Sequence, residues 1–207
     1  MRKLVVGTFL SLDGVMQAPG GPDEDLDGGF QYGGWTVPYF DEQLGQIMTE
    51  LTSRASALLL GRKTYDIFAA SWPLVGDDDP IAAKLNSIPK YVVSRTLDAA
   101  KWNNSTVLSG DVAEEVRQLK AQDGGEIHVA GSSDLIQTLL RDDLVDEYSL
   151  LTFPVVVGSG KRLFGDGAMP RGLKLVNTVT SGTGVTINTY ERHGELERGA
   201  IGPEYDQ

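Results

Sequence analysis

LLLGRKTYDIF, Leu58 to Phe68, runs from an apolar segment of strand length through a glycine, two cations and a hydroxyl into a segment of helical spacing. Ala57 to Leu60 reads as a buried strand, Gly61 as a turn and Thr64 to Ala70 as a short helix. The unit returns in IHVAGSSDLIQTLL, Ile127 to Leu140. There a strand ends at Ala130, Gly131-Ser132-Ser133 turns with Ser-Asp capping, and a helix runs from Leu135 to Arg141. Two strand, turn and helix units imply parallel strands joined by helical crossovers, hence an α/β fold.

The flanking sequence extends that frame. Lys3 to Leu10 is a strand ending at the turn signal Ser-Leu-Asp-Gly, and a Gly-rich acidic loop follows to about Gly34. Phe40, Leu44, Ile47, Met48 and Leu51 recur at helical spacing, with Asp41 and Glu42 in the first turn. Pro80 to Ser87 and Asp111 to Gln122 read as helices, and Tyr91-Val-Val and Thr106-Val-Leu as short strands. Val145 to Val157 is a long β run interrupted by Pro154; Leu173 to Thr180 and Val185 to Tyr190 flank Ser181-Gly-Thr-Gly, a hairpin signal. One domain over residues 1–193 and a polar tail over 194–207 are expected, with a mixed sheet between helical layers. In such sheets ligands bind beyond the carboxyl ends of the strands. That directs attention to Ser11 to Gly14, Gly61 to Thr64, Ser94 to Arg95 and Gly131 to Asp134.

Composition narrows the function classes. The 207 residues carry 18 Lys and Arg against 29 Asp and Glu, and a net charge of −11 opposes nucleic acid and anionic membrane as partners. No cysteine is present, so disulfides, zinc thiolates and thiol nucleophiles are excluded. Two separated histidines without HExxH argue against a catalytic zinc. No signal-length or membrane-length apolar run occurs, which points to a cytoplasmic location. GGPDEDLDGGF, Gly20 to Phe30, opens like a calcium loop, but its twelfth position is Gly34 rather than a bidentate Glu and a strand precedes it. The acidic run GDDDP, Gly76 to Pro80, reads as a solvated loop with Asp79 capping the next helix. Gly158-Ser-Gly-Lys-Arg lacks the frame of a P-loop.

Two basic turns stand against the global charge. Arg62 and Lys63 follow Gly61 at a helix N-terminus, and YVVSRT delivers Ser94 and Arg95 at a strand end. A polyanionic cofactor explains both. His128 lies in a strand and reads as a hydrogen-bonded core residue.

In chain order, SLDGVMQAPGGPDEDLDGGFQYGGWTVPYFDE, LLLGRKTYDIF, YVVSRTL, IHVAGSSDLIQTLL, DEYSLLTFPVVVGSGKRLF and GTGVTINTYE resemble the dihydrofolate reductase superfamily. The closer resemblance is to its stand-alone branch related to the reductase domain of riboflavin-biosynthesis deaminase-reductases. It implies a three-layer αβα fold whose mixed sheet ends in an antiparallel hairpin, and a homodimer. It also implies NADPH: Gly61, Arg62, Lys63 and Thr64 at the cofactor phosphates, Ser94 and Arg95 at the 2′-phosphate, and Gly131, Ser132, Ser133, Asp134 and Leu135 at the pyrophosphate and nicotinamide. Ser132 stands where the superfamily usually has the second glycine of a pair. Ala130 and Gly7 stand where the riboflavin branch has Glu and Lys, which argues against its phosphorylated substrate.

The function expected is reduction of a small heterocyclic, pterin- or pyrimidine-like substrate by hydride transfer from NADPH. Asp13 and Asp41, with pKa values raised by burial, are the expected proton donors. The resemblance implies that Gly14 lies beside substrate, and Trp35, Tyr39 and Phe40 are expected to stack on it. The acidic loop is expected to be a lid over the substrate end. The alternatives are a nucleotide- or metabolite-binding protein that keeps the fold without turnover, and a structural or dimerisation module.

Overall fold

A computed structural model describes residues 1–165, 168–199 and 201, so residues 200 and 202–207 of the expected tail lie outside the described residues. Eight strands form one sheet in the order β4-β3-β2-β5-β1-β6-β8-β7. They are β1 Leu4–Leu10, β2 Ala55–Gly61, β3 Lys90–Val93, β4 Ser105–Leu108, β5 Glu126–Ala130, β6 Glu147–Thr152, β7 Leu173–Thr180 and β8 Thr186–Arg192. Strands β1 to β6 pair in parallel, while β8 runs antiparallel to both β6 and β7. Five α-helices accompany them: α1 Glu42–Ser53, α2 Arg62–Ser71, α3 Pro80–Ser87, α4 Val112–Ala121 and α5 Ser133–Arg141. This is the three-layer α/β architecture with a closing antiparallel hairpin. Among the described residues no helix is long and apolar enough to cross a membrane.

Alternation along the strands sorts the side chains between two faces. Leu4, Val6, Ala57, Leu59, Ile127, Val129 and Leu150 point to one face, where α4 and α5 close a continuous core. The opposite face is covered in two patches. Leu58, Leu60 and Val92 pack with Tyr65, Leu85 and Trp102, whereas Leu151, Phe153, Val185 and Ile187 pack with Leu44 of α1. Between these patches Gly7 of β1, Ala130 of β5 and Ser149 of β6 line a cleft.

The long β run of the sequence stops at Thr152. Phe153 still donates its N–H to the Leu10 carbonyl, but Pro154 has no N–H to give and Val155 N turns back onto the Phe153 carbonyl. Helices α2 and α5 each begin two residues earlier than the periodicity indicates, at Arg62 and Ser133. The first turn carries no apolar marker there, so hydrophobic spacing cannot locate it.

Phe153, released from the ladder, is 0% exposed and becomes the centre of an aromatic cluster. Phe9, Trp35 and Tyr39 meet its ring edge-on at 5.4, 5.6 and 6.1 Å. It joins β1, the loop before α1 and the end of β6. Phe153→Ala is expected to lower unfolding free energy by about 3–5 kcal/mol in urea denaturation, the usual cost of a phenyl-sized cavity.

Candidate active site

The cleft has a volume of about 1340 Å³ and opens at the carboxyl ends of β1, β2 and β5. Its upper wall is two turns, Gly61 to Thr64 after β2 and Gly131 to Ser133 after β5. The Ser132 hydroxyl joins them, accepting from Gly61 N at 2.9 Å and donating to Thr64 Oγ1 at 2.8 Å. Gly61 permits this approach, because a Cβ there would sit 3.2 Å from both Cβ and Oγ of Ser132. Ser132 itself is left-handed, with φ 66° and ψ 63°, after Gly131 at φ 56°. A non-glycine residue in that region costs about 1–2 kcal/mol.

The helices divide by how they begin. Asp41, Asp79 and Asp111 cap α1, α3 and α4 through their carboxylates. The two helices that start at the cleft, α2 after Gly61 and α5 after Ser132, have no side-chain cap. Their first-turn amides and the positive ends of their dipoles are left for an anion.

The acidic loop closes the other end of this wall. Lys63 Nζ lies 2.9 Å from Asp25 and 2.6 Å from Asp27, and Lys161 Nζ lies 2.7 Å from each. Gln17 braces the same loop, donating to the carbonyls of Asp25 and Asp27 and accepting from Lys161 N. The two lysines hold the Asp27 carboxyl down to about 2. Burial works against the Asp25 carboxylate, yet Lys161 and Lys63 outweigh it and keep its pKa below the ordinary value. The loop therefore bridges α2 and the segment after β6 as a clasped wall of the cleft.

The profile of the RibD C-terminal domain matches residues 2–187. The chain belongs to this family. It is 31% identical over 198 residues to the uncharacterized protein YyaP of Bacillus subtilis (strain 168), covering 93% of this chain and 96% of that one. Among solved structures, a putative riboflavin biosynthesis protein from Shewanella sp. PV-4 superposes with a TM-score of 0.64 at 22% identity, covering 92% of this chain and 99% of that one. Dihydrofolate reductase from Enterococcus faecalis, complexed with NADP(H), superposes with a TM-score of 0.57 at 16% identity, covering 92% and 96%. At these identities the structural matches show the dihydrofolate-reductase-like fold.

In this RibD C-terminal domain the residues singled out from sequence separate into three groups. Gly61, Arg62, Lys63, Thr64 and the run Gly131 to Leu135 all line the cleft. Both cations are already paired: Arg62 with Asp66 at 2.7 Å, one helical turn on, and Lys63 in the clasp. Ser94 and Arg95 do not line the cleft, which reaches only Val93 of their strand. Ser94 is buried and its hydroxyl accepts from Thr96 N and Leu97 N, while exposed Arg95 makes no ion pair among the described residues.

The expected proton donors are corrected. Asp13 accepts from Val157 N at 3.0 Å, Ser11 Oγ at 2.7 Å and Gly158 N at 2.8 Å, and Arg162 pairs with it. These bonds, the one from Val157 first, lower its pKa instead of raising it, so it stays ionised as a loop brace. Asp41 has both oxygens engaged, by Leu44 N at 2.7 Å and Thr183 N at 3.1 Å, and it serves as a helix cap. Neither lines the cleft. Of the expected substrate residues, only Phe40 does. Trp35, whose indole N–H is taken by the Gln17 carbonyl, and Tyr39 belong to the Phe153 cluster, and Gly14 sits in the turn beneath the loop with φ 80°.

Period-two reading of β5 puts His128 opposite Ile127 and Val129, hence on the cleft face. The core reading of His128 missed that signal: the residue is hydrogen-bonded, 2.8 Å from Glu126 Oε2, but its side chain, 16% exposed, lines the cleft. Burial lowers its pKa against the pull of Glu126.

Two expectations follow. Ser132→Ala keeps the left-handed backbone but loses both hydroxyl bonds, and should destabilise by about 1–3 kcal/mol in chemical denaturation. Ser132→Gly relieves that backbone while losing the same bonds, and should stay within about 1 kcal/mol of wild type. The clasp has a defined pH window. Its aspartates have depressed pKa values, so the interaction is complete above the unfolded aspartate pKa and is lost as pH falls through the folded one. Lys63 and Lys161 are raised, so it is lost again only above the ordinary lysine value of 10.5. Limited proteolysis of residues 20–30 should thus be flat across neutral pH, accelerate as pH falls toward 2, and accelerate at neutral pH in Asp25→Asn/Asp27→Asn.

Proposed function

We propose that the protein is an NADPH-dependent reductase that delivers hydride to a small heterocyclic, pterin- or pyrimidine-like substrate. One observation carries this: the only two of the five described α-helices without a side-chain cap both begin at the cleft, where Ser132 ties their turns together. Backbone amides of Arg62 to Thr64 and of Ser133 to Leu135 suit a pyrophosphate there. Arg95, unpaired among the described residues and at the end of β3, suits the 2′-phosphate that distinguishes NADPH from NADH. When bound, the dihydronicotinamide supplies the hydride. The chain's part is to hold donor and acceptor carbons in contact, which the clasped loop and Phe40 serve by walling the cleft against water.

A nucleotide- or metabolite-binding protein without turnover is the alternative. It is favoured by the complete engagement of Asp13 and Asp41, which leaves neither acid to supply a proton. The reductase reading requires the cofactor. NADPH at about 100 times its dissociation constant should stabilise the protein by about 2.7 kcal/mol, a rise of several degrees in Tm, and more than NADH does. Arg95→Ala should erase that preference. No shift with either nucleotide would sink the reductase reading; where NADPH binds, its oxidation over a panel of heterocycles separates catalyst from binder.

A further inference from the structure

Helix α2 presents two flanks, which its 3.6-residue turn keeps apart. Ile67, Phe68 and Ser71 face the cleft, whereas Tyr65, Ala69 and Ala70 face a second cavity of about 670 Å³. The far wall of this cavity belongs to the connection from β3 to β4, which folds back over the same face of the sheet and buries Trp102 there. Tyr65 staples that connection to α2: its hydroxyl oxygen accepts from Lys101 N at 2.8 Å and from Trp102 N at 2.9 Å. One turn further on, Ala69, Ala70 and Pro73 are too short to continue the contact, and the space between helix and connection stays open.

Two buried polar groups beside this space have something left to give. Tyr65 is 3% exposed; the two amides take both lone pairs of its hydroxyl, and its proton has no acceptor among the described residues. Buried donors are nearly always paired, so this one marks a place for an acceptor. Next to Asn86, Trp102 and Asn103, which line the cavity, lies Lys90, 0% exposed. Its ammonium donates to the carbonyls of Asn86 and Asn103 at 2.9 and 3.2 Å and stands 4.2 Å from the centre of the Trp102 ring. Burial lowers its pKa to about 8, so it is charged at neutral pH, and no carboxylate pairs with it among the described residues. An ammonium held only by neutral groups leaves its positive potential uncancelled nearby.

Charge and lining restrict the occupant. Arg62 and Asp66 stand on the ridge between cleft and cavity and neutralise one another at 2.7 Å. Lys101 is exposed, lines the cavity and makes no ion pair among the described residues, so it is the cation free to meet a ligand. One such cation suits a single negative charge, and a second negative charge would face Asp66. Ala69, Ala70, Pro73 and Leu97 line the remainder without a polar side chain, so the charge must be carried on an apolar body.

We propose that this cavity, on the flank of α2 turned away from the cleft, binds a small monocarboxylate with an apolar, ring-sized body, the carboxylate accepting from Tyr65 Oη and Lys101 Nζ. The site is independent of the reductase reading: neither the first-turn amides of α2 nor the strands of the cleft floor take part in it.

Calorimetric titration of the full chain with 4-methylbenzoate, 4-methylbenzamide and inorganic phosphate tests this. Wild type should bind the benzoate, and should bind the neutral amide of the same shape roughly tenfold more weakly, because it brings no charge to Lys101. Phosphate lacks the apolar body and should bind more weakly than the benzoate; tighter phosphate binding would overturn the carboxylate assignment. Lys101→Ala should weaken benzoate binding roughly tenfold, and Ala70→Phe, which puts a ring into the open space, should abolish it. Both positions are exposed, so both variants should keep the Tm of wild type, whereas Tyr65→Phe would also remove the staple. If Ala70→Phe does not fold, Lys101→Ala decides alone. Absence of benzoate binding to wild type, equal binding of benzoate and amide, or a folded variant of either kind that binds benzoate as wild type does would overturn the site, the last result placing the ligand elsewhere on the protein.

Discussion

Parallel strands must be covered on both faces, and this sheet meets that requirement unequally. Helices α4 and α5 seal one face with a continuous core. The other face is split between a cluster built on Tyr65, Leu85 and Trp102 and a cluster built on Leu44 and Phe153. The central strands lie between the two, and they carry Gly7, Ala130 and Ser149 where bulky residues would otherwise demand a third helix. The cleft is a consequence of that small-residue row, and every other feature of the site is arranged around its rim.

The rim is held by two polar ties that work on different scales. The Ser132 hydroxyl fixes the β2–α2 and β5–α5 turns against each other over less than 3 Å, at the expense of a left-handed backbone. The lysine and aspartate clasp fixes a long loop that Gln17 and the buried Phe30 also anchor, and it does so with partly exposed ion pairs that salt weakens.

The fold was legible because its evidence is periodic: apolar runs of strand length, helical spacing and glycine turns place most elements to within two residues. The turns after β2 and β5 that meet at the cleft were legible for the same reason, since a turn between a buried strand and a helix is a local feature. The catalytic and stacking assignments were not. Asp13, Asp41, Trp35 and Tyr39 each have partners far away in sequence, at Val157, Thr183 and Phe153, and no local pattern announces those partners. His128 lay between the two cases. Its face follows from alternation, but its exposure depends on a gap between helices that only the assembled sheet creates.

The acidic composition takes on a different meaning once each carboxylate is traced. Asp41, Asp79 and Asp111 satisfy helix amides, Asp13 satisfies two loop amides, and Asp25 and Asp27 neutralise two lysines. Much of the negative charge near the site is thus spoken for by structure, so its presence says little about a catalytic acid. What remains for a ligand inside the cleft is largely uncharged: the first-turn amides of α2 and α5, the Ser149 hydroxyl and the His128 ring. Such groups discriminate by hydrogen-bond direction and shape. The amides at these helix starts keep their donor strength across pH, because unlike side-chain cations they do not titrate.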